Sequence, residues 1–428
     1  MRVMLLGPGG FIGSAVLAAL KSEGHQVVAV TRATGGRLQA GEWITLDIAR
    51  ATKPEDWLSN LPGIDAVVNC AGLLQDTPGE AIAAVHRDGV AALFAACAQA
   101  GVRRVVHVSA IGADRNQLTA FSRTKFEGDK ALMKFDLDWV ILRPSVVVGE
   151  AAYGGSALLR GLAALPMLPV MPNTGPLQIV QRDELVKTIL FFIRPEAPAR
   201  VALDVAGPDR LSFSEAVLAY RRWLGWPEPR LVQIPAGLSR VLFRLGDFAG
   251  LLGWRPPIRS TAEREMAFGA VGDNSAWRGL TGIEPRSLAA ALASEPASVQ
   301  ERWFAQLYFL KAAGFLVFAA FWIVTGLISL GPGWEIGRNL MLEGGVGEPL
   351  ASLSVVAGAL ADIAIGTALA FRRTARIGLY AALAISIFYV VAGTILVPRL
   401  WAEPLGPMLK IFPIMVLNLF LLAVRSDR

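Results

Sequence analysis

Over the first 150 residues, short apolar runs alternate with longer segments whose apolar residues recur at helical spacing. The runs Arg2–Leu6, Gln26–Thr31, Glu42–Thr45, Ala66–Asn69, Arg104–Ser109 and Asp138–Arg143 predict strands. The segments Phe11–Ser22, Glu80–Ala100 and Phe121–Phe135 predict the helices between them. Alternation of this kind predicts βαβ units around a parallel sheet. The expected fold class is therefore α/β, with a Rossmann-like, doubly wound nucleotide-binding core over residues 1–150.

Between 151 and 300 the pattern is broken by Pro and Gly, with helical stretches at Arg182–Ile193, Ser214–Leu224 and Gly237–Leu252. These residues are expected to finish the fold as a small substrate lobe over the carboxyl ends of the strands. The stretch Gly237–Trp254 is unusually apolar, setting Leu238, Val241, Leu242, Leu245, Phe248 and Leu252 against Arg240, Arg244 and Asp247. Packing on the lobe is the expectation, with contact to a bilayer as the alternative.

From about 305 the chain changes character. Four apolar segments, 312–330, 349–371, 377–397 and 407–424, predict an all-α, four-helix transmembrane domain over 305–428, although Lys410 and Pro413 interrupt the fourth. The connection after the second segment carries Arg372, Arg373 and Arg376, and the tail carries Arg425 and Arg428. The loop after the first segment holds Glu335, Glu343 and Glu348 against Arg338. Basic loops stay inside, so we expect a multi-pass protein of the inner, cytoplasmic membrane, with the nucleotide domain and both termini in the cytoplasm. In the second span Gly358, Asp362 and Gly366 share one face, which predicts close packing there and an inward Asp362, with Asn418 as a candidate partner.

Composition removes several functions. The net charge of +6 comes without any Lys/Arg block interleaved with aromatics, so no nucleic-acid partner is expected. Cys70, Cys97, His25, His86 and His107 lack the spacing of a metal or redox site, and both thiols read as structural. The apolar run Val3–Leu6 stops after four residues at a Gly-Pro-Gly-Gly turn, which fits a buried strand rather than a signal peptide.

Gly7, Gly10 and Gly13 stand between the first strand and first helix as a GxxGxxG turn. Such a turn lets backbone approach a pyrophosphate and aims the free N–H groups of a helix terminus at it, so Gly7, Gly10, Phe11, Ile12 and Gly13 are candidate cofactor-binding residues. At the end of the second strand, where an NAD-selective site places an acid, the chain has Thr31-Arg32 and then Arg37. A guanidinium there pairs with a 2′-phosphate, so NADP(H) is favoured over NAD(H).

The ordered motifs Gly7 to Gly13, Leu46-Asp47-Ile48, Asn69-Cys70-Ala71-Gly72, His107-Val108-Ser109-Ala110, Phe121 to Gly128 and Leu142-Arg143-Pro144-Ser145 resemble those of extended and atypical short-chain dehydrogenases/reductases. The subgroup they are most similar to includes the accessory short-chain-type subunit of respiratory complex I. The apolar tail resembles the DoxX-like membrane domain. The resemblance implies that Asp47 bonds the adenine, that Asn69, Ala71 and Gly72 line the ribose side, and that Lys125 holds the nicotinamide ribose. It further implies that Pro144 and Ser145 contact the nicotinamide end, and that Ser109 and Lys125 form the catalytic pair.

One departure matters. The family's acid is a Tyr four residues before the Lys, and this chain has Phe121. A phenol beside an ammonium exchanges a proton during hydride transfer, whereas phenylalanine has none to exchange. Tyr153, Ser109 or a water on Lys125 are the substitutes available from sequence, and Asp114 and Arg115 read as solvated loop charges. Two functions follow. The first is an NADP-dependent oxidoreductase on a lipophilic substrate such as a quinone, isoprenoid or lipid. The second is a non-catalytic dinucleotide sensor or assembly protein with a membrane protein partner.

Overall fold

The computed structural model describes residues 1–32, 41–76, 81–115 and 117–425, so Arg37, Glu80 and Arg428 lie outside the described residues. The chain forms two compact units, one of Met1–Phe248 with Pro256–Ala305, the other of Ala249–Arg255 with Gln306–Arg428.

The first unit begins with β1 (Arg2–Leu6), α1 (Phe11–Ser22), β2 (Gln26–Thr31), β3 (Glu42–Thr45), α2 (Glu55–Leu58) and β4 (Ala66–Asn69). A π-helical turn, Ala84–Asp88, leads into α3 (Gly89–Ala100), followed by β5 (Arg104–Val108), α4 (Ala120–Met133) and β6 (Asp138–Pro144). Next come β7 (Val147–Val148), α5 (Gly154–Ala163), β8 (Met167–Val170), β9 (Val180–Gln181), α6 (Arg182–Phe192), β10 (Val201–Val205), α7 (Phe213–Trp223) and β11 (Arg230–Gln233). After α8 (Ala236–Leu251), the unit ends with α9 (Ser260–Phe268), α10 (Ser275–Thr281) and α11 (Leu288–Ser294).

Seven strands form one sheet in the order β10-β6-β5-β4-β1-β2-β3, with every pairing parallel. The order reverses between β1 and β4, and a doubly wound sheet opens its ligand crevice at that point. Alternation along each strand fills two cores. Val3, Leu5, Val68 and Val106 face α1 and α6 through Leu17, Leu20, Ile189 and Phe192. Met4, Leu6, Val67 and Val105 face the other side, against Trp57, Leu93, Phe94 and Leu132. A parallel sheet covered on both faces reads as continuous apolar runs, which is why its strands were visible in sequence.

The second unit is helical, built from α12 (Val299–Leu330), α13 (Trp334–Glu343), α14 (Leu350–Ala370), α15 (Ala375–Leu396) and α16 (Ile411–Val424). Among the described residues, α12, α14 and α15 are long and apolar enough to cross a membrane. The fourth expected span, 407–424, is a helix of only 14 residues. At 1.5 Å per residue it rises about 21 Å, short of a hydrocarbon core of about 30 Å. The first turn is lost where the chain runs through a Gly406-Pro407 turn instead of a helix.

Small residues set the packing of this bundle. A Cβ on Gly366 would lie 2.7 Å from the Ala319 carbonyl and one on Gly326 2.5 Å from that of Ala359, so α12 and α14 touch backbone to backbone. Asp362 is buried there, but its partner differs from the expectation. The Tyr389 hydroxyl donates to Asp362 Oδ1 at 3.0 Å, while the Asn418 amide donates to the Leu379 carbonyl at 2.9 Å. Asn418 lies on α16 and spends its amide N–H on α15 backbone, its Oδ1 being left unpaired, so it is not the carboxylate's partner.

Candidate active site

The Gly-rich turn follows β1 at the switch point. Gly7 has φ +74°, a conformation that favours glycine, and a Cβ there would press on Ala71 backbone at 3.0 Å. A Cβ on Gly13 would lie 2.0 Å from the Gly7 carbonyl, so only glycine lets α1 start this close to β1. Gly10 caps α1 with no side-chain acceptor on the first-turn N–H groups, and no acidic residue stands in that turn. Phe11, Ile12 and Gly13 therefore present donors and a helix dipole to an anion. Phe11 stacks with Tyr153 at 5.8 Å, and the Arg182 guanidinium lies 4.9 Å from its ring centre.

The next strand ends complete the crevice. Arg32 is exposed at the end of β2, and Asp47 follows β3, its Oδ1 accepting from Ala49 N at 3.1 Å. Asn69, at the end of β4, is fully buried: its Oδ1 accepts from Ala71 N at 3.0 Å, and its amide donates to His107 Nδ1 at 2.9 Å. Asn69 thus shapes the Ala71-Gly72 turn from behind. A Cβ on Gly72 would lie 3.2 Å from Lys125 Nζ, so this turn and the lysine form one wall.

Ser109 follows β5, its amide fixed by the Leu142 carbonyl at 2.7 Å, while its buried hydroxyl, close to the Asp129 carboxylate, makes no well-formed hydrogen bond. A buried hydroxyl left unpaired is costly unless a ligand completes it. Lys125 Nζ donates to the Val108 carbonyl at 3.0 Å. Burial pushes its amine down to about 8 against the pull of Asp129 and Cys70. Ser145, beside Pro144, donates its hydroxyl to the Ala270 carbonyl at 2.7 Å, which ties the loop after β6 to the segment after α9.

Beneath Lys125 runs a buried polar network that the sequence reading did not pick out. One turn further along α4, Asp129 is fully buried and accepts from Arg143 Nε at 3.1 Å, with His107 Nε2 at 3.6 Å. Burial raises the Asp129 carboxyl above its usual range, opposed by Ser109, Arg143 and Lys125. Arg143 also reaches Asp114 at 2.6 Å, and Arg115 pairs with Asp204 at 2.9 Å. Asp114 and Arg115 are thus ion-paired in the loop after β5, and Arg115 stays half-exposed, in keeping with a solvated loop charge. The spacing Lys125 to Asp129, i to i+4 on the sheet-facing side of α4, is the signal that exposes this network.

His86 closes the other flank. Leu73 N donates to its Nε2 at 2.9 Å, so Nδ1 carries the proton and donates to Thr124 Oγ1 at 3.1 Å. Burial, with Lys125 and His107 nearby, pushes His86 down to about 2, so it stays neutral and ties the β4 loop to α4. Its ring meets Phe121 edge-on at 5.8 Å.

The lobe also brings in a carboxylate. Glu265 Oε1, on α9, accepts from Ser122 Oγ at 2.5 Å and from Thr119 Oγ1, the N-cap of α4. At the start of the same helix Arg259 Nη1 donates to the Asp76 carbonyl at 3.1 Å. The helix α9 therefore spans from the β4 loop to the turn of α4 that bears Phe121. More than 130 residues separate Glu265 from Phe121 in sequence, and no local spacing joins them.

Comparison with known proteins agrees with this geometry. Residues 7–162 match the NAD(P)H-binding family model, and residues 319–419 match the DoxX-like family. A Mycobacterium tuberculosis protein is 28% identical over 59% of this chain and 26% of its own length, so the chain spans about a quarter of that relative. The ceramide reductase of Caulobacter vibrioides is 24% identical over 54% of this chain and 73% of its own. A short-chain dehydrogenase/reductase superfamily protein from Agrobacterium tumefaciens, solved with bound NAD, shares the fold at TM-score 0.54 and 18% identity, over 72% of this chain and 99% of that one.

The first unit thus has the fold of NAD-bound short-chain dehydrogenase/reductase and epimerase structures, and its residues 7–162 match the NAD(P)H-binding family. The chain joins this NAD(P)H-binding-like part to a DoxX-like part that holds three helices long and apolar enough to cross a membrane.

The lysine yields a pH prediction. Lys125 is charged below pH about 8 and neutral above it. An ammonium favours an anionic dinucleotide, so affinity is expected to fall as pH rises through 8, by at most about tenfold per unit for one linked proton. Titrations at several pH values check this, and Lys125→Met is expected to flatten the profile. The unfolded chain keeps this proton to the ordinary 10.5, so between 8 and 10.5 the lysine's contribution to folding stability rises with pH.

Proposed function

We propose that the protein is a membrane-anchored, NADP(H)-preferring oxidoreductase for a lipophilic carbonyl or quinone substrate. The observation that carries this reading is the buried Ser109 hydroxyl, which makes no well-formed hydrogen bond and follows directly on Val108, whose carbonyl holds the Lys125 ammonium. A buried donor without a partner suits a substrate oxygen. Arg32 at the end of β2 supports NADP(H) over NAD(H). The ceramide reductase relative supports a lipid substrate.

When bound, a reduced nicotinamide supplies hydride to the acceptor carbon. Ser109 donates to the acceptor oxygen, and the Lys125 ammonium favours the negative charge that develops there. In place of the absent phenol, Glu265 is the acid–base group. The Ser122 and Thr119 hydroxyls both donate to its Oε1 and fix its position, and because Glu265 is only half-buried it exchanges with solvent the proton that the reduced oxygen needs.

The orientation proposed for the membrane places the nucleotide domain in the cytoplasm. Arg372, Arg373 and Arg376 cluster between α14 and α15, whereas Arg338 and Arg399, outside the other helix ends, are each paired with glutamates.

The test is full-length protein in lipid nanodiscs, with NADPH and a panel of quinones and lipid aldehydes or ketones, followed by loss of nicotinamide absorbance. Glu265→Gln is expected to lower kcat at least about tenfold, the lower range for general acid–base groups, with dinucleotide affinity unchanged. Equal kcat in the two proteins removes Glu265 from the mechanism. A second reading, a dinucleotide-binding assembly or sensor protein, is favoured by Phe121. It gains if no substrate in the panel turns over while binding is intact.

A further inference from the structure

The face of α8 turned away from the fold is exposed and apolar. One side of this helix packs into the fold: Ser239 and Phe243 are buried, a Cβ on Gly246 would lie 1.7 Å from the Ile258 carbonyl, and Asp247 accepts from Arg259 Nε at 3.2 Å. The opposite side carries Leu238, Val241, Leu242, Leu245 and Phe248, all exposed, with Leu245 at 59% and Phe248 at 60%. These positions follow the i, i+3, i+4, i+7, i+10 spacing of one helix face. Exposed Arg240 and Arg244 flank them.

What lies after α8 indicates what covers this face. Its last residues and the segment that follows, Ala249–Arg255, belong to the membrane unit. Within that unit the Trp254 indole donates to the Ala370 carbonyl at 2.7 Å, and Arg372 N donates to the Leu252 carbonyl at 3.1 Å. Ala370 ends the spanning helix α14, and Arg372, Arg373 and Arg376 follow at once. A spanning helix that ends in an arginine cluster beside a tryptophan marks the level where hydrocarbon gives way to headgroups. The chain leaves α8 at that level.

We propose that α8 lies along an anionic bilayer surface. Leu238, Val241, Leu242, Leu245 and Phe248 enter the boundary of the acyl chains, and Arg240 and Arg244 meet lipid phosphates. The partner is the membrane lipid itself, not a second protein.

The test uses the full chain in liposomes containing anionic lipid, with single substitutions Val241→Cys, Leu245→Cys and Phe248→Cys carrying an environment-sensitive dye. Lys187→Cys, at an exposed position of α6, serves as control. Native Cys97 is buried, and burial pushes both native thiols up to about 12, so the introduced thiol labels first. The expected result is a several-fold stronger quenching of the 245 and 248 probes by lipid-borne nitroxide than of the 187 probe, with matching protection from aqueous iodide. Removing the anionic lipid is expected to weaken that protection. Equal iodide access at 245 and 187 overturns the proposal, as does protection at 245 without nitroxide quenching, which would mean that protein covers the face. Variants are compared only where their thermal midpoint matches wild type, and the three labelled positions keep the test open if one fails to fold.

Discussion

Gly13→Ala is expected to abolish dinucleotide binding, raising the Kd for NADPH at least about 100-fold in a fluorescence titration, a cost of about 2.8 kcal/mol. The cause is local. The added methyl group would lie 2.0 Å from the Gly7 carbonyl, and the only relief is to push the start of α1 away from β1. That motion withdraws the first-turn N–H groups from the position where an anion meets them. Gly155→Ala is the matched control, since a Cβ there meets nothing within 4 Å. Binding of wild-type strength in Gly13→Ala would show that the dinucleotide does not sit on this turn.

Asp129→Ala is expected to be the most destabilising single change in the nucleotide-binding unit. It removes the partner of buried Arg143 and the carboxylate that offsets Lys125, and it leaves His107 Nε2 facing a void. Breaking a buried pair by deleting one partner costs about 3–5 kcal/mol. At about 2–4 °C per kcal/mol for a domain of this size, the thermal midpoint falls by on the order of 10 °C. Differential scanning fluorimetry checks this, with Asp129→Asn as the milder variant because it keeps an acceptor for Arg143. A midpoint unchanged in Asp129→Ala would mean that Arg143 is held by Asp114 alone.

The core sheet was legible because its strands are buried on both faces and its helices are amphipathic, so β1 to β6 and α1 stand close to where the apolar pattern puts them. Most ends shifted by a residue or two, but the helix expected over 312–330 begins at Val299, and β10 at the sheet edge was not among the expected strands. The fourth apolar helix was less legible because hydropathy averages over the Gly406-Pro407 turn, while the backbone breaks there.

In the site, the Gly-rich turn and the Ser109 and Lys125 pair announce themselves through local order. Asp129 was within reach, since it repeats the buried side of α4 one turn after Lys125. Glu265 was not, because a carboxylate on one exposed-looking helix acquires meaning only when the chain folds it against Thr119 and Ser122. Asn69 shows the converse: its motif points to a ligand, yet its side chain spends both polar ends on Ala71 and His107.

The backbone contact between α12 and α14 has a consequence for how the membrane unit tolerates change. Gly366 and Asp362 point inward only because the phase of α14 is locked against α12 at Ala319 and Ala359. Inserting a single residue ahead of Asp362 would turn everything on one side of it by about 100°. The carboxylate would leave the Tyr389 hydroxyl and face acyl chains, at a cost of about 2.5–3.5 kcal/mol. For this helix, length is a stricter inheritance than side-chain identity.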